Sequence, residues 1–162
     1  MEPEWGEWGQ AMRVRIDHAP LWSFARALKD ANPVYASERA ASDAGFDAVP
    51  APPTFTFVMG HSGAFPDLQR AEFAGRMMPE SDLPADGYSR QGLYLHGEQH
   101  FEYHRQPQVG DVLEGRMRIS KPMPKQGSRG AMEVTLIETR WTDLDGDPVV
   151  TEQIVSLFLP SS

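Results

Sequence analysis

The chain contains no cysteine, which excludes disulfides, thiolate catalysis and cysteine metal sites. It has no apolar run near the ~20 residues that a membrane-spanning helix needs. It also lacks any cationic cluster: 15 Lys+Arg are scattered among 23 Asp+Glu, for a formal charge of −8. Phosphate backbones are bound by clustered cations, so a nucleic acid is not the expected partner. The opening Met1-Glu2-Pro3-Glu4-Trp5 is acidic and interrupted by proline, unlike a secretory signal. A soluble, cytoplasmic protein is expected. What remains is ample for one core: 162 residues, 40% of them hydrophobic, fit a single domain over 1–162.

Periodicity changes along the chain. Residues 10–17 alternate as a short strand, and Pro20–Lys29 places Leu21, Trp22, Phe24, Ala25 and Leu28 at helical spacing. Pro33 ends that helix. A second helix is expected from its cap Ser37 to Ala44, with Gly45 as its stop. The prolines of Val49–Thr54 impose an extended path, and Phe55–Phe65 reads as a buried helix despite Gly60 and Gly63. Residues 66–92 mix Pro, Gly, Asp and Ser around a possible helix at Leu68–Met77, as in an inserted flap or loop. Four strands then follow: Tyr94–His104, Val112–Lys121, Ala131–Thr142 and Val149–Leu159. Turn signals stand at Val109–Asp111, Gln126–Gly130 and Asp143–Asp147. The order predicts an α+β protein whose antiparallel sheet wraps a buried helix.

Three segments carry chemistry. Asp30-Ala31-Asn32-Pro33-Val34-Tyr35 follows the first long helix, and Ala51-Pro52-Pro53-Thr54-Phe55 opens the buried one. Leu95-His96-Gly97-Glu98-Gln99-His100-Phe101-Glu102-Tyr103-His104-Arg105 lies on a strand before Val109-Gly110-Asp111. Together they resemble the MaoC-like dehydratases, including type 2 (R-specific) enoyl-CoA hydratases and the FAS1-like N-terminal dehydratase domains, over roughly residues 10–160.

That resemblance implies a hot-dog fold and reversible addition of water to a trans-2-enoyl thioester, giving a 3-hydroxyacyl thioester. Coenzyme A or an acyl carrier protein would carry the acyl group, and no further cofactor and no metal is implied. In active relatives an Asp and a His five positions later hold the water, and a His-Gly pair at the helix entrance offers backbone N–H groups to the thioester oxygen. Asp30 and Asn32 match the first motif, but Tyr35 stands where the His is expected. Tyr has a reference pKa of ~10 against ~6.5 for His, so it is no equivalent base. Pro52-Pro53 replaces His-Gly, and proline has no N–H to donate. The expected substrate-binding positions are Pro53, Thr54, Phe55, His61, His96, Gly97 and Glu98.

The resemblance therefore implies an acyl-binding subunit like the N-terminal half of two-domain hydratases, paired with a second hot-dog subunit. Its alternatives are a self-sufficient homodimeric hydratase, with Asp30 as base and Tyr35 or His96 in place of the His, and a non-catalytic acyl-CoA-binding module. A hot-dog thioesterase is a weaker reading. Blander roles stand beside these. Asp30–Pro33 is also a good helix-ending turn, and His61 suits an apolar core. His96, Glu98 and His100 alternate, so all three are expected on one face, as metal ligands or as a polar subunit interface. Phe55, Phe57, Phe65 and Met77-Met78 suit an acyl tunnel or an ordinary core, and Arg105, Lys121 and Lys125 suit phosphate contacts or solvent.

Overall fold

Polar–apolar alternation in the C-terminal half builds an antiparallel sheet, and the aromatic helix before it supplies something to wrap. The computed structural model describes residues 2–62, 91–127 and 130–161. In chain order these form β1 (Met12–Arg15), α1 (His18–Ala27), a 3-10 turn (Pro33–Tyr35), α2 (Glu38–Asp43), α3 (Phe55–Ser62), β2 (Gly92–Tyr103), β3 (Val112–Ile119), β4 (Met123–Gly127), β5 (Gly130–Thr142) and β6 (Pro148–Pro160). The sheet order is β1-β3-β5-β6-β2, with β4 also on β5, and every pairing is antiparallel. Among the described residues, no helix is long and apolar enough to cross a membrane.

Local chemistry explains most boundaries. Pro20 lies in the first turn of α1, where a missing N–H costs little. Ser37 caps α2 by accepting the Ala40 N–H at 3.2 Å, and Gly45 takes the left-handed conformation (φ 87°) that stops it. Asp143 closes the β5–β6 hairpin, its Oδ1 accepting from the backbone N–H groups of Asp145 and Asp147.

One element departs from the sequence reading. Gln126–Gly130 is not simply a turn, because Met123–Gly127 pairs with Gly130–Val134 as β4. Pro124 argues against a central strand but is tolerated on an edge, which is where β4 lies. β3 and β4 occupy successive stretches of the same side of β5. Ser120 bridges the break, its N–H donating to Leu136 O at 2.8 Å and its Oγ accepting from Leu136 N at 2.9 Å. The expected flap begins outside the described residues, as do Phe65, Met77, Met78 and the possible helix at Leu68–Met77; its last position, Gly92, already belongs to β2.

The two faces of the sheet differ in chemistry. Met12, Val14, Leu113, Trp141 and Val150 are buried on the helix side with Leu21, Ala25, Phe55 and Met59. The outer face is charged: Glu138 accepts from Arg118 and Arg140, each at 2.9 Å. The N-terminal segment runs along the edge of β3, tied by Gly6 N–H to Ile119 O and Gly9 N–H to Met117 O, and its tryptophan rings turn onto this face. There the Arg118 guanidinium lies 4.3 Å from the Trp5 ring centre and 4.6 Å from that of Trp8, a double cation–π contact.

Candidate functional site

The Asp30 segment folds as a chain of side-chain-to-backbone caps. α1 ends at Ala27; two residues on, Lys29 adopts φ 58°, and the Asp30 N–H turns back to Ala25 O. Asp30 Oδ1 accepts the Asn32 N–H at 3.0 Å, and Asn32 Oδ1 accepts the Val34 N–H at 3.2 Å. Both side chains thus do the turn-forming work that Asp and Asn favour. Tyr35 follows, buried, with its carbonyl accepting from His18 Nε2 at 2.9 Å. Burial, aided by the nearby Asp30 charge, pushes the Tyr35 phenol above its ordinary value. Tyr35 is therefore a neutral phenol at any ordinary pH and cannot take a proton from water.

The entrance of α3 is held by a second loop. Ala51 N–H donates to Pro107 O at 2.8 Å, and Val109 N–H donates to Val49 O at 2.9 Å. Gln106 Nε2 adds a bond to Ala51 O. Asp111 fixes that loop, its Oδ2 accepting from Arg105 at 2.7 Å and from Gln108 N–H at 3.0 Å. Arg105 is thus engaged by Asp111, and Lys121 by Glu4, whereas Lys125 is exposed. Asp111→Ala is expected to cost about 1–3 kcal/mol in urea unfolding, since two bonds to a half-buried carboxylate are lost. A change under 0.5 kcal/mol would show that the loop holds itself.

Neither Pro52 nor Pro53 can donate from its backbone. The first N–H available is that of Thr54, which points to the Tyr103 hydroxyl at 3.0 Å. Thr54 has φ 68°, a rare conformation for a β-branched residue. Pro53 and Thr54 are exposed, whereas Phe55 is buried with its ring 5.6 Å from that of Phe24.

The strand motif divides in a way alternation did not predict. Pairing of β2 with β6 slips at Gly97: His96 faces Ser156, but Glu98 faces Val155. Ser156 shares the helix side with Glu152, so His96 lies on that side, 6.2 Å from the Phe57 ring. Glu98 and His100 lie on the outer face, 3.2 Å apart. The expected single face of His96, Glu98 and His100 is therefore corrected: the bulge reverses the strand's alternation. Among the described residues no group of three or more His, Asp or Glu is placed to hold a metal. His61 lies within α3.

Sequence reasoning missed Glu152. It stands on the helix side of β6, 3% exposed, and accepts from Trp141 Nε1 at 3.0 Å. Burial raises its pKa to about 7, against the lowering effect of Thr56 and Trp141. Thr56 Oγ1 is close enough to contribute to that lowering, but the contact lacks full hydrogen-bond geometry and leaves this sealed atom under-satisfied. Gln99 Nε2 is likewise buried without a hydrogen-bond partner among the described residues. Glu152 and Thr56 therefore form a buried polar contact between β6 and the first turn of α3.

An antiparallel sheet of this order, curved over one buried helix, is a hot-dog fold. The model of the FAS1-like dehydratase domain region matches residues 5–152, and the chain belongs to that family. A UPF0336 protein of Thermobifida fusca is 33% identical over 136 residues, covering 84% of this chain and 78% of that one. Among solved structures, the HadBC (3R-hydroxyacyl-ACP dehydratase) complex of Mycobacterium tuberculosis superposes with a TM-score of 0.69 at 22% identity, covering 97% of this chain and 98% of that one. The ChsH1–ChsH2 complex of the same organism gives 0.68 at 19%, covering 96% and 86%.

Proposed function

We propose that this chain is the acyl-binding subunit of a hydratase/dehydratase acting on trans-2-enoyl and 3-hydroxyacyl thioesters, working beside a second hot-dog subunit. The observation that carries this reading is the state of Tyr35. Hydration requires a base to take a proton from water as its oxygen bonds to C3, while negative charge grows on the thioester oxygen before C2 is protonated. A buried, neutral phenol with its pKa raised further is no such base, and Asp30 is left without a histidine beside it in the motif.

Two further observations support a partner. β2 is a twelve-residue strand at the end of the sheet, with Leu93 and Leu95 exposed along it. Such an edge invites pairing with another chain. HadBC and ChsH1–ChsH2, which share this fold, are each complexes of two named components. In the proposed pair, the neighbour supplies the carboxylate and imidazole, and this chain holds the acyl group, delivered on coenzyme A or an acyl carrier protein.

The test is hydration of crotonyl-CoA and of a longer enoyl-CoA by the purified chain alone, followed at the enoyl-thioester absorbance. No turnover with acyl-CoA binding retained is the expected result. Catalytic loss of absorbance would instead make the chain a self-sufficient hydratase, and binding with no activity in any hot-dog pair would make it a binding module.

A further inference from the structure

The entrance of α3 has lost the backbone donors that two prolines cannot provide, yet a polar hydrogen is still presented there. Tyr103 reaches across from β2, and its oxygen accepts the Thr54 N–H at 3.0 Å. Its ring is fixed on the helix side of the sheet by stacking on Phe101, with centroids 6.1 Å apart and planes 14° from parallel. A phenol accepts through its oxygen lone pairs and donates through its own hydrogen. The accepting role is filled, and among the described residues no acceptor takes the hydroxyl hydrogen. Tyr103 is 44% exposed, so that hydrogen is open to a ligand. Accepting a hydrogen bond also polarises a hydroxyl and strengthens the bond it donates.

We propose that Tyr103 is the carbonyl-recognition residue of this chain, donating its phenolic hydrogen to the oxygen of a bound acyl thioester. The proposal rests on the acyl-thioester reading above. Thr54 then acts through Tyr103: its left-handed backbone (φ 68°) aims its N–H at the phenol rather than at the substrate. The thioester oxygen would lie one hydrogen bond further out than a direct backbone contact would place it. No bond is made or broken at this residue, so the role is binding and polarisation, not proton transfer.

The test compares hexanoyl-CoA with S-hexyl-CoA, a thioether that lacks the carbonyl oxygen, by calorimetric titration of the full chain. Wild type should bind the thioester about three- to tenfold more tightly, the worth of one neutral hydrogen bond. Tyr103→Phe should erase that preference and leave thioether affinity unchanged. As a second variant, 3-fluorotyrosine at position 103, a more acidic phenol, should tighten thioester binding only. Equal weakening of both ligands by Tyr103→Phe, or a thioester preference that survives it, would overturn the assignment. Equal binding of both ligands by wild type would also overturn it while leaving acyl binding intact. If neither ligand binds to wild type, alone or with its partner subunit, the acyl-thioester reading itself falls and takes this one with it.

Discussion

Glu152→Gln is expected to stabilise the protein at pH 8 by about 3 kcal/mol and to leave it unchanged near pH 4. The carboxyl is 3% exposed and its pKa is raised from 4.5 to about 7 by burial. At about 1.4 kcal/mol per pKa unit, that difference sets the size of the effect. The sign follows from proton binding. Below pH 4.5 the group is protonated in both folded and unfolded chains and contributes no pH dependence. Between pH 4.5 and 7 the unfolded chain releases the proton while the folded one keeps it, so stability falls as pH rises. Above pH 7 the penalty is constant. Glutamine keeps an acceptor for Trp141 Nε1, adds a donor that Thr56 Oγ1 can accept, and does not ionise over this range. Urea unfolding of both proteins from pH 4 to 8 gives the comparison. At pH 8 the melting temperature should rise on the order of 6–12 °C for a domain of this size. A difference that does not vary with pH would mean that Glu152 titrates alike in the folded and unfolded chains, so that burial does not raise its pKa.

If the chain is the acyl-binding half of a two-subunit hydratase, as proposed, Asp30→Asn should leave turnover of that pair within about twofold, whereas replacing the carboxylate proposed for the second subunit should cost roughly 10²- to 10⁴-fold, the usual worth of a general base. The asymmetry follows from what Asp30 does. Its Oδ1 accepts the Asn32 N–H at 3.0 Å, and asparagine keeps an acceptor at that atom. The turn that carries Asn32 and Tyr35 is thus preserved while the charge is removed. Steady-state hydration of crotonyl-CoA by the co-purified pair measures both variants. A hundredfold loss with Asp30→Asn would place the base on this chain and remove the case for a degenerate subunit.

The sheet was legible in the sequence because its strands are long and its turns carry Gly, Asp and Pro, and the α2 cap was legible because Ser37 and Gly45 have few other uses there. The prolines flanking Met123 concealed β4, since an edge strand tolerates what a central one does not. Glu152 was within reach. In Thr151-Glu152-Gln153 the middle residue must face away from its neighbours, and it shares parity with Val150 and Ile154. Strict parity would place Glu152 in the core, yet the same rule misplaces His96 relative to Glu98 and His100, because one bulged glycine reverses everything beyond it. Tyr103 was hidden for another reason: its partner Thr54 lies 49 positions away, and nothing local ties the two together.

The slip at Gly97 also bears on which neighbours can pair with the edge of β2 that, among the described residues, has no partner strand. A Cβ at that position would stand 3.0 Å from Val155 O, so the irregularity sits against the main chain of β6 and has little room to shift. A strand docking on the other side of β2 meets a ladder whose phase changes partway along. A regular strand could match one half and would be out of step with the other. An incoming edge needs a compensating irregularity at the same height, which ordinary extended peptides and most misfolded chains do not have. The bulge thus limits continuous strand addition along β2 to a strand with a matching irregularity.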